Sequence, residues 1–95
     1  MIFTTINPAT EEILENYEEM SASLVEQKLK KANEIFPDWK KTTFKDRSNK
    51  MLEVASVLRA KKYEYAKLMA LEMGKPLAQG IGEVEKCAWV CEYYA

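Results

Sequence analysis

Two cysteines, Cys87 and Cys91, stand four residues apart near the end of the chain, and they are the first side chains that could do chemistry. Thiols at that spacing could ligate a metal or cycle between dithiol and disulfide. A zinc site needs a second pair of Cys or His ligands, and the sequence holds no histidine and no third cysteine. A helix also holds side chains at i and i+4 poorly for an S–S bond. The expectation is a pair of buried, reduced, unlinked core cysteines. The lack of histidine removes the commonest general base as well.

Glycine-rich phosphate loops come next. Gly80-Ile81-Gly82 lacks the preceding strand and the third glycine of a dinucleotide fingerprint. Gly74-Lys75 resembles the end of a phosphate loop, but Pro76 stands where Ser or Thr belongs. Loop and helix-end geometry is the expected role of all three glycines. The acidic pairs Glu11-Glu12 and Glu18-Glu19 could serve acid–base work only if burial or crowding separated their pKa values. They read as solvated surface, as do Lys40-Lys41 and Lys61-Lys62. Trp89 and Tyr93 could form a ligand platform, but an aromatic strip at helical spacing is more often core or interface. Interface is the expectation here.

These residues must be carried by one small domain at most, since the chain has 95 residues. Hydrophobic residues make up 47% and charged residues 31%, the composition of an ordinary folded protein. With 14 basic against 15 acidic residues, no field is built that would draw in nucleic acid or an anionic membrane. No apolar run approaches the roughly 18 residues of a membrane span. The start, Met1-Ile2-Phe3-Thr4-Thr5, lacks the basic opening and long apolar stretch of a signal peptide. A cytoplasmic setting follows as the expectation.

The elements can be placed from pattern. Ile2 to Glu18 reads as two short strands about the turn Asn7-Pro8-Ala9-Thr10, a hairpin over 2–18 that should lie on something else. Ser23-Leu24-Val25-Glu26 fits a capping box, and Val25, Leu29, Ala32 and Phe36 then form a helical stripe. Pro37 is expected to end that helix, giving about 24–36. Thr43-Phe44-Lys45-Asp46 is a second capping box, opening a helix with Met51, Ala55 and Leu58 on one face. The stripe loses register near Lys61, so the expectation is two helices, 44–60 and 62–73. Gly74 and Pro76 follow as stop signals. A last helix, about 82–95, carries Val84, Ala88, Cys91 and Ala95 on one side. It reaches Tyr93-Tyr94-Ala95 without a cap, Gly or Pro, and this leads us to expect further chain downstream.

Four segments, in order and at matching spacing, resemble the aldehyde dehydrogenase family. Ile6-Asn7-Pro8-Ala9-Thr10 is similar to its opening "NPAT" motif, although Glu11-Glu12 stands where Gly-Glu is usual, so the turn glycine is missing. Phe36-Pro37-Asp38-Trp39 is similar to the family's "AFPAW" helix end, and Leu71-Glu72-Met73-Gly74-Lys75-Pro76-Leu77 to its "LExGKP" segment. Glu83 to Ala95 resembles the bacterial and archaeal succinate-semialdehyde dehydrogenase branch in particular.

The resemblance implies a mainly α chain with a short N-terminal β-hairpin, a single segment 1–95 that forms the N-terminal piece of the α/β aldehyde dehydrogenase fold. Family members use NAD or NADP to oxidise an aldehyde to a carboxylic acid. A cysteine attacks the aldehyde, hydride passes to the nicotinamide, and a glutamate activates the water that releases the acid. An asparagine side chain and a backbone N–H hold the oxyanion. All of those groups fall beyond the segment corresponding to Met1–Ala95, so no catalytic, cofactor-binding or metal residue is assigned here and the chain alone is expected to be inactive. Some members hold a structural monovalent cation just before the NPAT motif; Thr5 and Ile6 occupy that place and Glu83 falls near a cation-ligand acid, with ordinary turn and helix roles the expectation. The implied partners are the missing C-terminal remainder and further copies of the chain, not nucleic acid or membrane. The rival expectation is a stand-alone helical module for self-association or protein interaction.

Overall fold

A computed structural model describes residues 1–95 as two strands and four helices: β1 (Ile2–Ile6), β2 (Ile13–Glu18), α1 (Ala22–Trp39), α2 (Phe44–Ala60), α3 (Lys62–Met73) and α4 (Leu77–Tyr94). The strands pair antiparallel, with Ile2 opposite Glu18 and Phe3 opposite Tyr17, and an irregularity falls between Thr5 and Ile6. The hairpin is tied across by Thr4, whose hydroxyl donates to the Asn16 side-chain carbonyl at 2.7 Å. In the turn, the Asn7 side chain accepts from the Ala9 N–H at 2.9 Å, the bond that makes Asn a turn former.

Helix α4 is the centre of the packing and lies against both α2 and α3, while β1 touches α3. The buried residues are Ala55 of α2, Ala66 of α3, and Gly80, Val84 and Ala88 of α4. Four of these five are alanine or glycine. The core is therefore a seam of small residues where helix backbones come close, not a cluster of large side chains.

Several expectations need correcting. Helix α1 starts at Ala22, not 24, because Ser21 is the cap: its hydroxyl accepts from the Leu24 N–H at 3.2 Å. Ser23 lies inside the helix and takes a bond from the Gln27 amide at 3.3 Å. Pro37 does not end α1, which continues to Trp39. In the last turn a proline removes only one backbone bond, and Lys40 still donates to the Phe36 carbonyl at 2.9 Å. The stripe Val25, Leu29, Ala32 and Phe36 is exposed throughout, since no part of α1 is buried. Helix α4 starts at Leu77, not 82, so Gly80 and Gly82 are helical residues and not loop.

The Thr43 capping box forms, with Asp46 N–H donating to the Thr43 hydroxyl at 3.1 Å and the Asp46 carboxylate accepting from the Thr43 N–H at 3.3 Å. Gly74 closes α3 in the left-handed region at φ +70°.

The molecule is open. Its radius of gyration is 17.6 Å, against about 12 Å for a compact domain of this length. It exposes 7884 Å², about 2,300 Å² more than a folded monomer of its mass would.

Candidate functional site

One charged group joins the three packed helices. Arg59, near the end of α2, donates through Nε to Glu85 at 3.0 Å and through Nη2 to Glu92 at 3.1 Å, with Nη1 also on Glu92. Lys62, in the first turn of α3, donates to the other Glu85 oxygen at 2.9 Å. Glu85 thus holds the ends of α2 and α3 onto α4. The bonds from Lys62 and then Arg59 hold the Glu85 carboxyl below the usual carboxylate range, and Arg59 does the same for Glu92. Arg59 is held further into its charged form by Glu92 and Glu85. The clasp is missing from the sequence reading, which gave Lys62 to the solvated face. The available signal was Glu85 and Glu92, seven apart and hence on one helix face.

The residues singled out by sequence are scattered. Cys87 is exposed and Cys91 half-buried, both unlinked, so the expected burial of the pair is corrected. The stripe that is covered runs through Gly80, Val84 and Ala88, and Cys87 lies off its edge. Lys75 is paired with Glu83 at 2.5 Å. Thr5 turns its hydroxyl to the Glu15 carbonyl at 3.5 Å, and Ile6 pairs with Ile13. Glu11 and Glu12 lie in the hairpin turn, and Glu19 meets the N-terminal ammonium at 3.2 Å. No three side chains among Cys, Asp and Glu are gathered where they could hold a metal ion.

What the structure leaves open instead is apolar surface. Phe36 of α1 is 56% exposed, and Trp89 and Tyr93 of α4 are 59% and 74% exposed. A groove along α2 and α3 is lined by Val54, Val57, Leu58 and Tyr65, with Lys50 and Glu53 at its side. The Tyr93 and Tyr94 rings meet edge to face at 5.0 Å, on the open side of α4. No helix is long and apolar enough to cross a membrane.

Two of the recognised segments touch. Pro8, in the turn of the hairpin, lies against Gly74 at the end of α3, where an added Cβ would stand 3.1 Å from the Pro8 ring. Glu11, three residues after Pro8, takes φ +64°. That is the place where the resemblance expects glycine, the residue that adopts a positive φ most readily. A description of the aldehyde dehydrogenase family matches residues 1–95, the whole chain.

The chain belongs to the aldehyde dehydrogenase family.

Within that family it is 40% identical, over all 95 residues, to a probable succinate-semialdehyde dehydrogenase [NADP(+)] of Synechocystis, of which it spans 21%. It is 38% identical over 91 residues to the succinate semialdehyde dehydrogenase [NAD(P)+] Sad of Escherichia coli, covering 96% of this chain and 20% of that one. The crystal structure of succinic semialdehyde dehydrogenase from Streptococcus pyogenes with NADP+ superposes with a TM-score of 0.89 at 31% identity, over 97% of this chain and 20% of that chain. This aldehyde dehydrogenase segment thus matches the N-terminal region of such enzymes and spans about a fifth of their length. The expected fold class, mainly helical with an N-terminal hairpin, is the one found.

Proposed function

We propose that this chain is the N-terminal scaffold layer of an NAD(P)-dependent aldehyde dehydrogenase that oxidises a semialdehyde, succinate semialdehyde first among them, to the acid. In this reading the nucleophilic cysteine, the general base and the cofactor cradle belong to the remainder of the enzyme. The 95 residues supply a surface, not a reacting group. The observation that carries the reading is the excess of exposed surface. About 2,300 Å² beyond that of a compact monomer is open, and it includes Phe36, Trp89 and Tyr93. Domains are built from packed layers around a shared core, and here the second layer must come from elsewhere. The choice of NADP or NAD follows the relatives, whose names carry both. A reducing cytoplasm suits the two unlinked thiols.

A second reading has its own support. Surface of that extent also suits a homo-oligomer in which copies of the chain cover one another, a stand-alone helical module. Calorimetry on the purified chain with NADP+ and NAD+ tests the scaffold assignment. The expected result is no saturable binding tighter than about millimolar, since no glycine loop follows a strand. Tight binding, or turnover of succinate semialdehyde by the chain alone, contradicts it.

A further inference from the structure

Cys87 and Cys91 are used by nothing described so far. They lie one turn apart on α4, and neither is in a disulfide. On a helix, Cβ atoms at i and i+4 stand about 5–6 Å apart. A disulfide needs its Cβ atoms at roughly 3.5–4.5 Å, so α4 must deform before these sulfurs can join directly. An ion between them changes the geometry. Two metal–thiolate bonds of about 2.3 Å span up to about 4.6 Å from sulfur to sulfur, against about 2 Å in a disulfide, so a bridging ion asks far less of α4 than a direct S–S bond.

The kind of ion follows from what surrounds the pair. No third or fourth Cys, His, Asp or Glu converges with them, so a tetrahedral zinc centre cannot be completed. The carboxylates of α4 that might have helped are engaged elsewhere: Glu83 by Lys75, Glu85 by Arg59 and Lys62, and Glu92 by Arg59. Only soft sulfur is left. Cys87 is exposed, so a solute can reach the pair without opening the fold, and Cys91 lies half-buried beside it. Thiolates select a soft, low-coordinate cation.

We propose that Cys87 and Cys91 form a two-coordinate dithiolate site for a monovalent thiophilic cation, cuprous copper by chemical class. Binding is ligand exchange without oxidation. Both thiols lose their protons to solvent, two S–Cu bonds form, the copper leaves its previous ligands, and it stays monovalent throughout.

The test uses the intact chain, reduced and kept without oxygen, titrated with the coloured cuprous complex of bicinchoninate. The expected result is that the chain removes copper from the dye up to one ion per chain, and that native mass spectrometry finds one copper for every chain in each species present. Cys87→Ser and Cys91→Ser should each abolish the competition while circular dichroism stays helical. Cys91→Ala should do the same, which separates loss of a ligand from disturbance of the half-buried position. Full competition by either serine variant overturns the proposal, as does a wild-type chain that leaves the dye untouched. A copper held only between two chains, or zinc taken up as readily as copper, overturns it equally.

Discussion

Gly80 and Ala66 touch where α4 crosses α3: a Cβ placed on Gly80 would lie 3.1 Å from the Ala66 Cβ and 3.2 Å from its Cα. Two helices so close can admit a methyl group only by moving apart. Gly82, half a turn further along α4, has nothing within 4 Å of the same position.

The two glycines should therefore respond oppositely to alanine. Gly82→Ala should stabilise the chain by about 0.5–1 kcal/mol through helix propensity alone. Gly80→Ala gains the same propensity but crowds backbone, and overpacking of that kind costs about 1–3 kcal/mol, so the net is a loss of about 1 kcal/mol. Urea unfolding of both variants checks the opposite signs.

Glu11 and Gly74 form a second contrasting pair, both in the left-handed region at φ +64° and +70°. Glu11→Gly should raise stability by about 0.5–1 kcal/mol, relieving a strain of roughly 1–2 kcal/mol and returning part of it as chain entropy. Gly74→Ala should lower stability by about 1–2 kcal/mol from the backbone term, with the Pro8 ring adding to the loss. Thermal midpoints should move in opposite directions for the two.

The Arg59 clasp predicts an acid limb. Glu85 and Glu92 titrate below their ordinary range in the folded chain and return to it on unfolding. Their contribution is present above about pH 4.3, the unfolded carboxylate value, and is lost as pH falls through their depressed folded values. Asp46, lowered first by its bond to the Thr43 side chain, adds on the same side. Arg59→Met should flatten the fall in urea midpoint on acidification. Because the pairs stand more than a third exposed, added salt should shrink the wild-type effect. A wild-type midpoint that does not change with acid would count against the clasp.

Association is the next expectation. The chain should form homo-oligomers at high micromolar concentration, burying more than about 1,000 Å² in total. Trp89→Ser combined with Tyr93→Ser should weaken them, because large exposed aromatics contribute most at an interface. Light scattering decides, and a well-folded wild-type monomer at that concentration contradicts it.

What the sequence made legible was local. The Thr43–Asp46 box, the stop at Gly74 and the register change near Lys61 each depend on a few adjacent residues. Contacts that join distant residues were not legible. Gly80 reads as a loop residue until Ala66 is seen beside it, and only then is a glycine inside a helix explained. Pro37 reads as a terminator, yet a proline in the last turn removes too little to stop α1. Cys91 reads as core because it shares a side with Val84 and Ala88, but the covered stripe is narrower than the apolar one, and Cys87 lies off it. The Arg59 clasp spans 33 residues between Arg59 and Glu92, and only its acidic half, Glu85 and Glu92 on one face of α4, leaves a local mark. The missing turn glycine was visible at Glu11, and the structure gives its physical reason.

In the proposed function these residues are scaffold and specificity belongs to the rest of the enzyme. The most direct test is a chimera in which this chain replaces the matching N-terminal fifth of the Synechocystis dehydrogenase, to which it is 40% identical. The activity is read as reduction of the nicotinamide with succinate semialdehyde. The expected chimera is soluble and active and keeps its parent's preference between NADP+ and NAD+ and among aldehydes. A chimera that folds and assembles but is inactive, or whose cofactor or aldehyde preference shifts, would contradict it.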